Sequence, residues 1–167
     1  MITEIRLRNF KIFKDLKLEL KNLNLLTGLN GMGKSSLIQA LLLLRQSYYK
    51  STPGLLLNGS LVKLGKGKDV FHHSSSDKEI EIGLNYSGKD LFFIFDYNPV
   101  FDLMELKKNS LEIKSFGGTN AEILKSYTLF SEDFQYLNAE HYGVKETYPT
   151  SDFEVSENRN LGVKGEY

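Results

Sequence analysis

The sequence predicts an α/β fold with strong antiparallel character, and three observations carry that expectation. Alternating segments open the chain: Ile5 and Leu7 lie between Arg6 and Arg8, and Leu16, Leu18 and Leu20 lie between Lys17, Glu19 and Lys21. A glycine-rich stretch, Gly28-Leu29-Asn30-Gly31-Met32-Gly33-Lys34-Ser35, then runs into apolar residues at helical spacing. A second strand-rich segment follows, opened by Ile80, Ile82, Leu84 and Tyr86 in alternation with Glu79, Glu81, Gly83 and Asn85. Period-two alternation puts one face of a strand on a core and the other in water, the pattern of antiparallel pairs.

The elements follow in order. After the two opening strands, Leu23 to Thr27 is mostly apolar and reads as a more buried strand running straight into Gly28. A helix is predicted from Lys34, because Leu37, Leu41, Leu44 and Tyr48 recur at helical spacing. Ile38, Leu42 and Leu43 widen that stripe, so the helix is covered on more than one side, and Ser51 to Gly54, with Pro53, ends it. Leu61 to Leu64 reads as a short extended piece, Gly65-Lys66-Gly67 as a turn, and His72, His73 and Ser74 to Ser76 as an exposed loop. The strand over 79–86 and the Phe-rich run Leu91 to Tyr97 are joined by Ser87-Gly88-Lys89-Asp90, a hairpin connection. Leu111 to Phe116 alternates again, residues 121 to 130 fit a short helix, and Phe134 to Glu140 reads as a strand before a polar end from Gly143.

Composition bounds the function. The 167 residues suffice for one domain, and 41% hydrophobic with 12% aromatic content argues against disorder. Lys and Arg number 21, as do Asp and Glu, so the chain carries no overall electrostatic footprint for nucleic acid or a membrane surface. Without cysteine there is no disulfide or thiolate metal site. MITEIRLRNF lacks the apolar core of a signal peptide, and no apolar run approaches the length of a membrane span. A cytoplasmic protein without membrane partners is expected.

Gly28 to Ser35 fits G-x-x-x-x-G-K-[ST] at every fixed position. The chemistry needs each of these residues. Glycines let the loop curl so that backbone N–H groups point at phosphate oxygens, and the helix that begins there favours an anion at its N-terminus. Lys34 is placed to reach the β- and γ-phosphates, and the Ser35 hydroxyl to ligate Mg²⁺. The pattern arises by chance in fewer than about one percent of chains this long, and here it also has its strand before and its helix after. Nucleoside triphosphate binding with Mg²⁺ is therefore the expected function. Other candidates are weaker. His72-His73 has no partner at metal-ligand spacing, Gly65-Lys66-Gly67-Lys68 reads as a solvated turn, and Phe92, Phe93, Phe95 and Tyr97 read as sheet core.

The order of strands around the loop resembles the N-terminal lobe of ABC-type ATPase heads, in the branch that includes the SMC and RecF proteins. Ile5-Arg6-Leu7-Arg8-Asn9-Phe10-Lys11 with Phe13, and the spelling G-L-N-G-M-G-K-S-S-L, carry the resemblance. More narrowly, residues 37–47, Leu64-Gly65 with Asp69-Val70-Phe71, Tyr136 to Glu140 and Gly162 to Tyr167 resemble a bacterial family of AAA-labelled, ABC-like ATPases related to the OLD proteins. The resemblance implies that Gly28, Leu29, Asn30, Gly31, Met32, Gly33, Lys34, Ser35 and Ser36 hold ATP and Mg²⁺. It implies nucleotide contacts from Asn9 and Lys11 on the opening strands, and from Glu140-His141 near the γ-phosphate. His141 and Val144 depart from the A-E-R-x-G-P pattern of the family at that segment.

No apolar strand ends in Asp followed by Glu, and no LSGG-like signature occurs. The resemblance therefore implies the N-terminal portion of an ATPase head whose C-terminal lobe is absent. Residues 1–50 would form the strands, loop and first helix, 55–140 a strand-rich lobe, and 141–167 a loop-like end. The full-length protein is expected to be an ATPase and an ATP-driven dimerising switch, closing on a second head and acting on DNA or a defence effector. The fragment alone is expected to be inactive or very slow, with no catalytic residue of its own. A small kinase, or a non-catalytic nucleotide-binding remnant, stays open as an alternative.

Overall fold

A computed structural model describes residues 1–118 and 121–137. Strands β1 (Glu4–Phe10) and β2 (Phe13–Glu19) form the first hairpin, with Ile5 opposite Leu18 and Leu7 opposite Leu16. Helix α1 (Lys34–Tyr49), the short strand β3 (Gly54–Leu56) and a single helical turn, α2 (Gly67–Val70), come next. Strands β4 (Glu79–Tyr86), β5 (Lys89–Asp96) and β6 (Leu103–Asn109) follow, then a 3-10 helix at Ala121–Ser126. The six strands make one antiparallel sheet in the order β2-β1-β4-β5-β6-β3. The α/β class with antiparallel character is thus as the sequence reads.

The alternation read from the sequence is what builds the core. Ile5, Leu7, Ile80, Ile82, Leu84, Leu91, Phe93 and Phe95 all point to one face of the sheet and are buried. Leu37, Ala40, Leu43 and Leu44 of α1 join them in a single cluster. Phe93 sits against Phe116 and Phe130, and Tyr48 meets Phe130 edge-on at 5.2 Å between ring centroids. The 87–88 connection is a tight two-residue turn with positive φ at Ser87 and Gly88, which suits the twist of the β4–β5 hairpin. Helix α1 stops at Tyr49, where Ser51 takes a left-handed φ and Pro53 cannot continue the hydrogen-bond ladder.

The C-terminal half of α1 buries polar groups as well. Ser47 Oγ donates to Leu43 O and accepts from Leu56 N, while Gln46 Nε2 donates to Leu56 O and its Oε1 accepts from Val62 N. These bonds sew the helix to β3. Arg45 is 4% exposed; its guanidinium donates to Leu129 O at 2.7 Å and Ser131 O at 2.6 Å and lies between the rings of Tyr49 and Phe134. Burial pulls its pKa down.

Several expectations are corrected. Leu23 to Thr27 is not a strand: it is irregular, with Leu23 90% and Leu25 85% exposed. A strand forms only where a neighbour takes its backbone groups, and no described strand lies alongside. Leu111 to Phe116 is a turn, because Asn109 Oδ1 accepts from Leu111 N and Ile113 N and Glu112 adopts a left-handed φ. The neighbouring strand is β6, at Leu103–Asn109. Phe134 to Leu137 is irregular; the rest of the strand expected there lies outside the described residues, as do Glu140, His141 and the polar end. His72, read as an exposed loop residue, is buried, whereas His73 beside it is exposed.

Candidate functional site

The loop takes its shape from three glycines. Gly28, Gly31 and Gly33 have φ of +141°, +83° and +87°, and only glycine enters that region without strain. A β-carbon at Gly28 or Gly31 would meet nothing within 4 Å, so both face open space. At Gly33 it would lie 2.5 Å from Phe13 Cζ and 2.6 Å from Ile12 Cδ1. The β1–β2 turn therefore packs directly onto the last glycine of the loop.

Helix α1 begins at Lys34 with no side-chain cap and no acidic residue in its first turn. The first-turn N–H groups have no intrahelical acceptor by geometry, so the positive end of the helix is left open to an anion. Lys34 Nζ folds back along the loop and donates to Gly28 O and Leu29 O, both at 2.7 Å. Ser35 is exposed, and Ser36 is buried behind it. Leu29, Asn30 and Met32 project into solvent. The eight residues read from the sequence are thus gathered in one curl with Lys34 at its centre.

Lys11 lies over the same helix. Its Nζ donates to Gln39 Oε1 at 2.7 Å, and Gln39 stands one helical turn beyond Ser35 on the same side of α1. Burial lowers the pKa of this ammonium, and the charge of Asp69 opposes the shift. Asn9 is placed differently. It is 3% exposed, its Nδ2 donates to Glu79 O at 2.8 Å, and its Oδ1 accepts from Ser75 Oγ at 2.5 Å. The amide is turned into the protein and holds the turn from behind. Glu140 and His141 lie outside the described residues, so neither can be related to the loop.

Three further residues contribute that were not among the site residues read from the sequence. Ile12 and Phe13 cover Gly33, and His72 holds the turn that carries them. Phe13 stood within the resembling segment, but nothing in residue spacing marks His72. Among the described residues, no three His, Asp or Glu side chains gather as a metal set. His72 and His73 have ring centroids 4.9 Å apart but no third ligand.

A glycine curl opening onto an uncapped helix, with one lysine inside it and a second alongside, is suited to an anionic ligand. The sequence matches the AAA ATPase domain family over residues 1–163, and the protein belongs to that family. This agrees with the resemblance to AAA-labelled, ABC-like ATPases and makes the chain a member of a nucleotide-binding ATPase family. No curated protein matches the chain. Among the described residues, no helix is long and apolar enough to cross a membrane.

Proposed function

We propose that the curl at Gly28 to Ser35 binds the triphosphate of ATP, with Mg²⁺, as the N-terminal part of a P-loop ATPase head of the ABC and SMC kind. The observation that carries this reading is the open N-terminus of α1 facing the curl, with Lys34 Nζ on the carbonyls of Gly28 and Leu29. Those carbonyls hold the ammonium where an incoming phosphate can replace one of them. The first-turn N–H groups would cradle phosphate oxygens, Ser35 would ligand Mg²⁺, and Ser36 would back the loop. Mg²⁺, when bound, neutralises phosphate charge. Lys11 is the second cation of the site, and Asn9 acts through the turn.

The head would work as an ATP-driven dimerising switch, with a second copy as partner. Support comes from apolar side chains that ring the loop and face solvent: Ile12, Leu29 and Met32. Leu23 and Leu25 are the natural seat for the rest of the head, the lobe that would also supply the acidic hydrolytic residues. In this reading the described chain binds nucleotide and turns it over very slowly, because phosphoryl transfer depends on charge stabilisation by those further groups. An effector on DNA or in defence would lie downstream of the switch.

Thermal unfolding with and without Mg-ATP tests the binding. Ligand at about 100 times its Kd adds roughly 2.7 kcal/mol, or about 5–10 °C for a domain of this size. The shift should vanish in Lys34→Ala. A melting temperature unmoved by saturating Mg-ATP removes the reading.

A further inference from the structure

We propose that His72 is a positioning residue of the nucleotide site: it locks the β1–β2 turn so that Lys11 faces the phosphates held by the loop. The inference deepens the ATP-binding reading above and rests on it. His72 is 7% exposed and lies far in sequence from both the turn and the loop, yet its backbone N and its two ring nitrogens each make a hydrogen bond to their surroundings. Its backbone N donates to Asn9 O at 3.1 Å. Its ring Nδ1 is 2.8 Å from Lys11 O, and its Nε2 is 2.9 Å from Ser74 Oγ. A carbonyl only accepts, so Nδ1 carries a hydrogen and donates it to Lys11. One residue therefore grips both Asn9 and Lys11, on either side of buried Phe10.

Those two residues need gripping. Asn9 and Lys11 have φ of +57° and +51°, a region that side chains with a β-carbon rarely occupy. Such backbone persists only where its surroundings over-determine it, and it concentrates at functional sites. The restraints on this turn converge. Asn9 is held by Glu79 O and Ser75 Oγ, Lys11 N donates to Val70 O at 2.7 Å, and His72 closes the set on Lys11 O. What the turn carries lies against the loop: Ile12 and Phe13 on Gly33, and Lys11 Nζ on Gln39, one turn beyond Ser35. Without the His72 ring, Lys11 O is left without its donor and the backbone is free to relax from its left-handed φ. Such relaxation moves the Lys11 ammonium and the two side chains above Gly33 together.

A histidine that only stabilises the core makes a different prediction from one that acts through Lys11, and a double-mutant cycle separates the two. Mg-ATP affinity of the 167-residue chain is measured by calorimetry for Lys11→Ala, His72→Ala and the double variant, each checked by its unliganded melting curve. Each single change should weaken binding by about tenfold, the effect of one charge-assisted hydrogen bond, and the double variant should bind no worse than Lys11→Ala. His72→Asn, whose amide N–H can replace Nδ1–H, should recover most of the affinity, and His72→Phe should not. Losses that multiply in the double variant, or wild-type affinity in His72→Ala, overturn the inference while leaving the loop reading intact. Should His72→Ala fail to fold, His72→Asn and His72→Phe decide by the same comparison. No binding by the unmodified chain, or unchanged binding in Lys34→Ala, overturns the loop reading and this inference with it.

Discussion

Gly33→Ala gives the most direct test of how the β1–β2 turn and the loop fit together. The new β-carbon would sit 2.5 Å from Phe13 Cζ and 2.6 Å from Ile12 Cδ1, closer than non-bonded carbons approach. Both atoms end flexible side chains, so the turn yields rather than the helix. Holding alanine at a left-handed φ costs about 1–2 kcal/mol, and the less flexible unfolded chain returns about 0.4–1 kcal/mol. Displacing two packed side chains adds about 1–3 kcal/mol. The net loss is about 1–5 kcal/mol. Gly31→Ala is the control: its φ is also left-handed, but its β-carbon meets nothing within 4 Å, so only the backbone cost applies. That leaves about 0–1.5 kcal/mol. Urea unfolding of the two variants, with equal slopes required, reads the difference from the midpoints. Phe13→Leu, which removes the ring tip, should narrow the gap. If Gly33→Ala proves no worse than Gly31→Ala, the turn does not rest on the loop, and the positioning argument loses its base.

Three further outcomes follow from the packing and the buried polar groups. Arg45→Met keeps much of the volume between Tyr49 and Phe134 but strips the donors from Leu129 O and Ser131 O, so it should cost about 1–3 kcal/mol in urea unfolding; a change below about 0.5 kcal/mol would show that the 129–131 segment is not pinned by this guanidinium. Burial pushes the Tyr86 hydroxyl up to about 12 from an ordinary value of 10, so the folded state holds that proton more tightly. The resulting stability is complete below about pH 10 and fades as pH rises towards about 12, by at most about 3 kcal/mol; Tyr86→Phe should remove this part of the alkaline slope, and an identical slope in both proteins refutes the assignment. Leu23→Ser with Leu25→Ser should leave the melting temperature of the unliganded chain unchanged within about 2 °C, since both side chains are almost fully exposed. A large drop would mean that they are covered in solution.

The sequence announced those elements whose residues report their own environment. In β4 every second residue is apolar and buried, in β1 Ile5 and Leu7 are buried between exposed arginines, and in α1 Leu37 and Leu44 recur at helical spacing and are buried, so there pattern and burial coincide. The hairpin at 87–88 was legible because Ser-Gly suits a turn that needs positive φ at both positions. β3, with three residues, is too short to show a period, and its place is set by hydrogen bonds with Gln46 and Ser47 that no residue spacing announces. β6 lies between β5 and the short β3 and carries Glu105, Lys107 and Lys108, which hide its single buried anchor, Met104. The loop was fully legible because its chemistry fixes residue types at fixed spacing. His72 was not, because a carbonyl at Lys11 can be satisfied by any donor that the fold delivers.

The segment Leu23 to Thr27 shows what hydrophobic pattern does and does not report. An apolar run entering a glycine loop signals a demand for cover, and it is silent about what supplies the cover. Here the demand stands unmet among the described residues: Leu23 and Leu25 face solvent, and the backbone from Leu25 to Asn30 follows no ladder. On its other side the same loop is held firmly, by Ile12 and Phe13 on Gly33 and by α1 in the core. The site is thus rigid towards the antiparallel sheet and open towards the leucines. On the proposed reading, a nucleotide in the curl would touch that half through Lys34 and Lys11 and would stiffen the loop without further partners. A surface that covered Leu23 and Leu25 would reach the same loop from the opposite side, through the six residues from Leu23 to Gly28. In the proposed switch, nucleotide and covering surface would be coupled through this one glycine curl, the arrangement that an ATP-dependent association requires.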